Sequence, residues 1–167
     1  MNQDSKGNLK TFIFDCNIWI EVITDTESKL TDIVFNNNVN IVLTSYMIVE
    51  ILRVLKRLSI RLKILFSETE MLFWSFSRYP NISFVFNAPI SDSLINEVKN
   101  LSEIQIIAKI LKLEPKDVPY IIGAHQYNAI IVTEDIRSLY VEKNQIQEKI
   151  GIKIIRKSDF INSFHKD

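Results

Sequence analysis

Short apolar runs alternate with amphipathic stretches along this chain of 167 residues. Mostly apolar stretches of four or five residues are typical of strands buried on both faces of a sheet. Stretches with apolar residues three or four apart predict helices with one buried face. Because strands and helices alternate, the chain is expected to form parallel strands joined by crossover helices. The pattern therefore predicts a three-layer α/β/α sandwich with a mostly parallel central sheet of about five strands.

The predicted elements cover the chain from residue 11 onward. A polar lead-in is expected over residues 1–10, followed by a single domain over 11–167 in which 58–80 is a helical elaboration. Thr44 or Ser45 is expected to cap the longest helix. The predicted strands are 11–15, 40–44, 82–86, 129–133 and 152–155. The predicted helices are 16–23, 28–37, 46–66, 68–79, 91–101 with a continuation through 113, 118–128, 136–149 and 158–165.

Composition narrows the classes of protein that fit. The chain is 47% hydrophobic, which supplies ample material for a core, and its 20 basic and 20 acidic residues balance. Neutrality argues mildly against extensive non-specific nucleic-acid binding but allows a local basic patch. The lone Cys16 excludes an intramolecular disulfide, and a polar N-terminus without long apolar runs predicts a cytoplasmic protein with no membrane contact. With three glycines and no phosphate-loop motif, a Gly-rich nucleotide cradle is excluded.

Four short stretches carry acids at the boundary between apolar and polar sequence. They are FIFD with Asp15, SYMIVE with Glu50, EPKD with Asp117, and IIVTED with Glu134 and Asp135. A carboxylate beside a core is costly unless it is paired or binds a cation. Ligands of open parallel sheets bind beyond the carboxyl ends of the strands, which is the edge where these acids are expected to meet. The pattern predicts an all-oxygen site for one or two Mg²⁺ or Mn²⁺ ions.

Such a site suits hydrolysis of a phosphodiester. Because the diester is anionic, it resists attack by water unless a cation neutralises it. Acid-held Mg²⁺ or Mn²⁺ does this and also activates a water molecule for attack on phosphorus. The acids therefore predict a metal-dependent phosphodiesterase.

Four segments of the chain also resemble one known family, the PIN domain, which is the nuclease fold of VapC-like toxins and of RNA-processing enzymes. The third of these segments is the most specific, since an Asp opens a helix and a later strand ends in Thr-x-Asp. The segments are FIFDCNIWI (12–20), LTSYMIVEIL (43–52), DVPYIIGAHQYNAIIVTED (117–135) and IKIIRKSDFINSF (152–164).

The resemblance implies a ribonuclease that leaves a 5′-phosphate and a 3′-hydroxyl. It assigns the catalytic and metal-binding roles to Asp15, Glu50, Asp117 and Asp135, and supporting hydrogen bonds to Asn17 and Thr133. It implies either the toxin of a toxin–antitoxin pair, with a small protein partner, or an RNA-processing nuclease.

One position departs from the family pattern. Many members have an acid two residues after the last Asp, where this chain has Arg137, and Glu134 is the acid placed to compensate.

Each acid also has a simpler interpretation. Asp15 and Asp117 fit helix caps, Asp135 fits a loop acid, and Glu50 fits an ion pair with Arg53 or Arg57 along its helix. A catalytically inactive PIN-like module that binds RNA or protein is therefore an alternative. A receiver-like signalling domain is a weaker alternative, because the third strand ends in FVFNAP without an Asp.

Two further groups of side chains have both a functional and a structural interpretation. The first is a basic stripe, expected either to contact RNA phosphates or to be a solvated face. The second is an apolar-aromatic cluster, expected to cover the core, with a homodimer contact or a groove for a partner as the alternative. The basic stripe comprises Arg53, Lys56, Arg57 and Arg61, and the cluster comprises Met71, Leu72, Phe73, Trp74, Phe76 and Tyr79.

Overall fold

A sheet of five parallel strands runs through the computed structural model of the protein, which describes residues 9–36 and 39–164. The spatial order of the strands is third, second, first, fourth, fifth. The chain thus moves outward from the first strand to one edge of the sheet, and then returns to place the fourth and fifth strands on the other side of the first strand. The strands are β1 Thr11–Phe14, β2 Asn40–Thr44, β3 Ile82–Val85, β4 Ile130–Thr133 and β5 Ile154–Arg156.

Helices cover both faces of this sheet, so the predicted three-layer α/β/α fold is confirmed. A short 3₁₀ turn at Phe76–Arg78 follows the fourth helix. The helices are α1 Cys16–Thr24, α2 Lys29–Asn36, α3 Ser45–Leu62, α4 Phe66–Ser75, α5 Leu94–Lys99, α6 Ser102–Leu111, α7 Val118–Gln126, α8 Lys143–Ile150 and α9 Lys157–Asn162.

Alternation along β1 divides the core into two halves. Phe12 and Phe14 point to one face and pack in a cluster with α1, α2, α4 and α9. Ile13 points to the other face and packs in a cluster with α5, α6, α7 and α8. Because successive side chains of a strand point to opposite faces, the apolar run of β1 supplies both clusters at once. Helix α3 contributes side chains to both clusters.

Helix α7 approaches β1 and α3 closely at Gly123. A Cβ atom at this position would lie 3.1 Å from Ile13 Cδ1 and 3.1 Å from Met47 Cε. The absence of a side chain therefore lets α7 pack against the centre of the sheet, which fixes the position of Asp117 at its start.

Three predicted helices differ from those in the structure. The helix predicted over 46–66 ends at Leu62, because Lys63 adopts a left-handed conformation with φ of 56°. The helix predicted over 91–113 is two helices with a break at Asn100 and Leu101. The helix predicted over 136–149 begins only at Lys143, since the preceding residues form turns.

Some expectations fall outside the described residues, namely the lead-in over 1–8, residue 37 and the end of the last predicted helix at His165. In the ranges 9–36 and 39–164, no helix is long and apolar enough to cross a membrane.

Candidate metal centre at the carboxyl edge of the sheet

Asp15 lies between β1 and α1, with 8% of its surface exposed. Its Oδ1 accepts a hydrogen bond from the Cys16 N–H at 2.7 Å, as a helix-capping side chain would. Its Oδ2 accepts a hydrogen bond from the Thr133 hydroxyl at 2.8 Å, which reaches across to β4. Capping therefore explains only one of the two oxygens, and the other ties the acid to the neighbouring strand.

Thr133 links Asp15 to the next acid along the edge. The Thr133 Oγ1 accepts a hydrogen bond from the Asp135 N–H at 2.9 Å. The Asp135 Oδ1 in turn accepts the N–H of Arg137 at 2.8 Å and that of Ser138 at 3.3 Å. One oxygen of Asp135 therefore closes a turn, as the loop-acid interpretation expects, and the backbone of Arg137 takes part in it.

Asp117 precedes α7 and is buried, with 5% of its surface exposed. Its backbone is in the right-handed helical region, and its side chain makes no capping hydrogen bond. Instead, Oδ2 accepts a hydrogen bond from the Ser138 hydroxyl, three residues after Asp135. Asp117 therefore occupies the N-cap position of α7 without capping the helix through its side chain, and the turn after β4 holds both Asp117 and Asp135.

Glu50 projects from the second turn of α3 and is half-buried. Its Oε2 accepts a hydrogen bond from the hydroxyl of Tyr120, which is fully buried in α7. Among the described residues, Glu50 forms no ion pair with Arg53 or Arg57, which the simpler interpretation required. The side chain is thus directed by a neutral donor from the opposite helix.

Burial dominates the electrostatics of three of these acids. It raises the pKa of Asp117 to about 6, and it raises the pKa of Asp15 and of Glu50 above the ordinary range. The hydrogen bonds from Ser138, Thr133 and Tyr120 oppose this rise, because each of them favours the charged carboxylate.

The acids also act on one another at this edge. The charge of Asp135 raises the pKa of Asp15, and the charges of Asp15 and Asp117 raise that of Glu50. Within residues 9–36 and 39–164, none of these four acids forms an ion pair with a basic side chain. The edge thus concentrates negative charge that no contacting basic group neutralises.

Lys116 is the cation whose charge reaches all four acids. Burial lowers its pKa, but the contact with Glu114 at 3.1 Å and the charges of Asp117 and Asp135 raise it overall. The backbone oxygen of Lys116 accepts a hydrogen bond from the Tyr46 hydroxyl at 3.1 Å, which holds this segment against α3.

Two predicted supporting residues do not contact the acids. Asn17 is exposed, and its side chain makes no hydrogen bond within the described part of the chain. Glu134 binds the Arg156 guanidinium at 3.0 Å and accepts the Lys157 N–H at 3.1 Å, at the start of α9. These two contacts hold Glu134 at the start of α9.

The basic stripe begins beside the acids. Burial raises the pKa of Cys16, and the nearby positive charge of Arg57 opposes this rise. Burial likewise raises the pKa of Tyr46, and the charge of Arg53 opposes it. All four members of the stripe are exposed: Arg53, Lys56, Arg57 and Arg61.

The apolar-aromatic cluster is divided between core and surface. Phe73 and Phe76 are buried, and Phe73 packs against Phe84 of β3 with ring centroids 5.3 Å apart. Met71 and Leu72 are exposed, so the cluster only partly covers the core.

The donor set suits a hard cation, but it does not form a closed coordination shell. Carboxylate oxygens are among the ligands that Mg²⁺ and Mn²⁺ prefer. In the described ranges, no group of three or more His, Cys, Asp or Glu side chains converges closely enough to hold a metal ion. Ligation by three carboxylates at once therefore requires the side chains to move closer together.

Neither the known protein-family models nor the curated proteins include a match to this chain.

Sequence reasoning missed three residues of this edge. Lys116 directly precedes Asp117, Tyr120 follows Asp117 by three residues, and Ser138 follows Asp135 by three. A search for polar residues one helical turn from each acid would have found the last two. Their partners could not be assigned, because Tyr120 lies 70 residues from Glu50 and Ser138 lies 21 from Asp117.

Proposed function

We propose that this protein is a divalent-metal-dependent nuclease of the PIN type that hydrolyses RNA. The observation that carries the proposal is the set of buried and half-buried carboxylates at the carboxyl edge of β1 and β4. Asp15, Glu50 and Asp117 have raised pKa values and form no ion pair among the described residues.

This arrangement favours binding of a cation. Several carboxylates that share a poorly hydrated space repel one another, and each is costly to keep charged. A divalent ion would remove both penalties. Acids with an ordinary structural role are instead expected to pair with arginine or lysine side chains. The edge also lies at the switch point of the sheet, between β1 and β4, where open α/β folds bind their ligands.

The proposed roles follow from the contacts. Asp15, oriented by Thr133, and Asp135, oriented by its turn, would hold the principal ion. Asp117, oriented by Ser138, would share that ion or hold a second one. A bound Mg²⁺ or Mn²⁺ supplies charge neutralisation of the phosphate and acidification of water. The choice of RNA over DNA rests on the sequence resemblance to PIN domains.

Glu50 has a separate role in the proposal. The Tyr120 hydroxyl holds one carboxylate oxygen, which leaves the other to ligate the ion or to orient a water molecule. Exposed basic residues that begin one turn further along α3, with Arg53 first, would contact RNA phosphates that lead to the acids.

The test is cleavage of labelled single-stranded RNA in Mn²⁺, with EDTA as the metal-free condition. Asp15→Asn keeps the size of the side chain but removes its charge, and we expect the cleavage rate to fall at least about 100-fold. Asp159→Asn is the matched control, because Asp159 is exposed on α9. Cleavage by Asp15→Asn at the wild-type rate, with both variants folded by circular dichroism, would refute the assignment.

A non-catalytic module that binds RNA is the second candidate, and one observation favours it. The described acids do not close around a metal position, and one oxygen of Asp135 serves the turn that contains Arg137. This candidate predicts that RNA binds equally well in Mn²⁺ and in EDTA and is never cleaved.

A further inference from the structure

A cleft of about 320 Å³ lies between α3, α4 and the segment after β3. Its volume is at the lower end of the range typical of small-molecule sites. Val49 and Leu52 of α3, Phe66 of α4, and Ile90 supply its apolar lining.

Charged side chains line the same cleft without pairing. Arg53 and Lys56 come from α3, and Glu70 and Asp92 from the opposite wall. In residues 9–36 and 39–164, none of these four forms an ion pair, and the side chains of Arg53, Lys56 and Asp92 make no hydrogen bond. Opposite charges that share a cleft but remain apart are available to a ligand that carries both an anionic group and hydrogen-bond donors.

The cleft shares helix α3 with Glu50. Val49 precedes Glu50 directly, and Arg53 lies one helical turn after it. The charge of Arg53 also reaches Tyr46, whose hydroxyl contacts the backbone of Lys116 beside the acids. A strand of RNA that follows α3 from Glu50 toward Arg53 would therefore bring a neighbouring nucleotide to this cleft.

The chemistry of the lining selects a particular nucleotide. Phe66 offers a ring for stacking, which every base can use. Arg53 and Lys56 suit the phosphate. Asp92 offers two acceptor oxygens side by side, and guanine is the base that presents two adjacent donors, N1–H and N2–H, on its pairing edge. Adenine, cytosine and uracil place an acceptor beside each donor, which a carboxylate repels.

We propose that this cleft is a guanine-binding subsite, with Asp92 accepting hydrogen bonds from the base and with Arg53 and Lys56 contacting its phosphate. The inference rests on the proposed function for the choice of RNA as ligand. It makes the protein selective for a guanosine next to the cleaved bond.

The experiment is calorimetric titration of the full chain with the 5′-monophosphates of guanosine, inosine, adenosine and uridine, in EDTA. We expect guanosine monophosphate to bind at least about tenfold more tightly than the adenosine and uridine compounds, because only guanine donates two adjacent hydrogen bonds to the carboxylate. Inosine monophosphate keeps N1–H but lacks the amino group, so its affinity should be intermediate.

Two variants locate the selectivity. Asp92→Asn should abolish the preference for guanine, whereas Asp159→Asn, also at an exposed position, should leave it unchanged. Phe66→Leu keeps an apolar contact but removes stacking, so it should weaken the binding of all four nucleotides by similar factors. Equal affinities for the four nucleotides, no binding at all, or an unchanged preference in Asp92→Asn would overturn the inference.

The same titration separates this inference from the proposed nuclease. Asp15→Asn should bind guanosine monophosphate as the wild type does, since Asp15 does not line the cleft. If RNA is never cleaved but guanine is selected, only the nuclease proposal fails. If RNA is cleaved in Mn²⁺ but the four nucleotides bind alike, only the guanine subsite fails.

Discussion

Tyr120 shows how a single buried residue orients a candidate catalytic acid. Its ring is buried in α7, and its hydroxyl donates to the Oε2 of Glu50 on α3. A half-buried glutamate without this donor would be free to rotate toward solvent or to pair with Arg53. Because the hydrogen bond favours the charged carboxylate, it also opposes the rise in the pKa of Glu50 that burial causes.

Removing that hydroxyl gives the first prediction at this scale. In Tyr120→Phe, Glu50 loses its donor and its pKa rises further, so the acidic limb of the pH–rate profile for RNA cleavage should move to higher pH. The lost hydrogen bond should also lower the free energy of unfolding by about 1–3 kcal/mol. Tyr79→Phe, at a tyrosine exposed on the surface, is the matched control. An unchanged pH–rate profile in Tyr120→Phe would contradict the role given to Tyr120.

Asp117 gives a second prediction, on the pH dependence of stability without metal. Burial raises its pKa in the folded protein to about 6, from 3.8. The folded state therefore holds the proton more tightly, and this stabilising contribution is present below pH 3.8 and is lost as pH rises to about 6. Between those limits the wild type should lose up to about 3 kcal/mol of stability relative to Asp117→Asn.

Urea unfolding in EDTA at several pH values measures this difference. Asp159→Asn, compared with the wild type in the same way, controls for removal of a carboxylate from the surface. A constant difference between wild type and Asp117→Asn from pH 4 to pH 7 would contradict the raised pKa of Asp117.

At the scale of elements, the end of α3 decides where the helical elaboration turns back. Lys63 adopts a left-handed conformation with φ of 56°, and its N–H contacts the carbonyl oxygen of Ile60 at 3.4 Å. Residues other than glycine are strained in this conformation. The turn allows α4 to pack back along α3, and one side of the cleft depends on that packing.

The strain at Lys63 gives an element-scale prediction. Lys63→Gly should raise the free energy of unfolding by about 0.5–1 kcal/mol, since glycine adopts the left-handed conformation without strain. Lys56→Gly makes the same substitution inside α3 and should lower stability by about 1 kcal/mol. Urea denaturation of both variants provides the measurement. Destabilisation by Lys63→Gly would show that the helix does not end at this position.

At the scale of the whole molecule, the sheet topology gathers the acids. The chain leaves β1 for β2 and β3 and then returns to place β4 on the other side of β1. Asp15 therefore follows one strand at the switch point, and Asp135 follows its neighbour. Helix α7, packed closely through Gly123, brings Asp117 and Tyr120 to the same edge.

This arrangement predicts that Mn²⁺ stabilises the whole fold, independently of catalysis. A ligand that binds only the folded state at 100 times its Kd adds about 2.7 kcal/mol, so Tm should rise with Mn²⁺ concentration. The rise should be larger at pH 7.5 than at pH 5.5, because the ion must displace protons from acids with raised pKa values. Asp15→Asn should lose most of the rise, while Asp159→Asn should keep it. An equal rise in both variants would place the bound Mn²⁺ elsewhere.

The sequence by itself determined the architecture and the edge of the candidate site. Apolar runs at β1, β2 and β4 alternate with amphipathic segments, and this periodicity requires parallel strands buried between two helical layers. The acids that end or follow those runs are local features, so their placement near strand ends could be predicted from the sequence. The same local reasoning overestimated the helix over 46–66, because nothing in its periodicity shows that Lys63 turns left-handed.

Only the tertiary structure decided what each acid contacts. The partners of Glu50 and Asp117 lie 70 and 21 residues away, at distances along the chain that no periodic pattern relates. Glu134 was expected to support the site, but the folded chain holds it at Arg156. Hydrogen-bond partners and burial depend on how distant segments pack, whereas strand and helix patterns depend on neighbours in sequence. For this reason the sequence indicated which acids meet at one edge, and packing decided which of them are buried without a contacting positive charge.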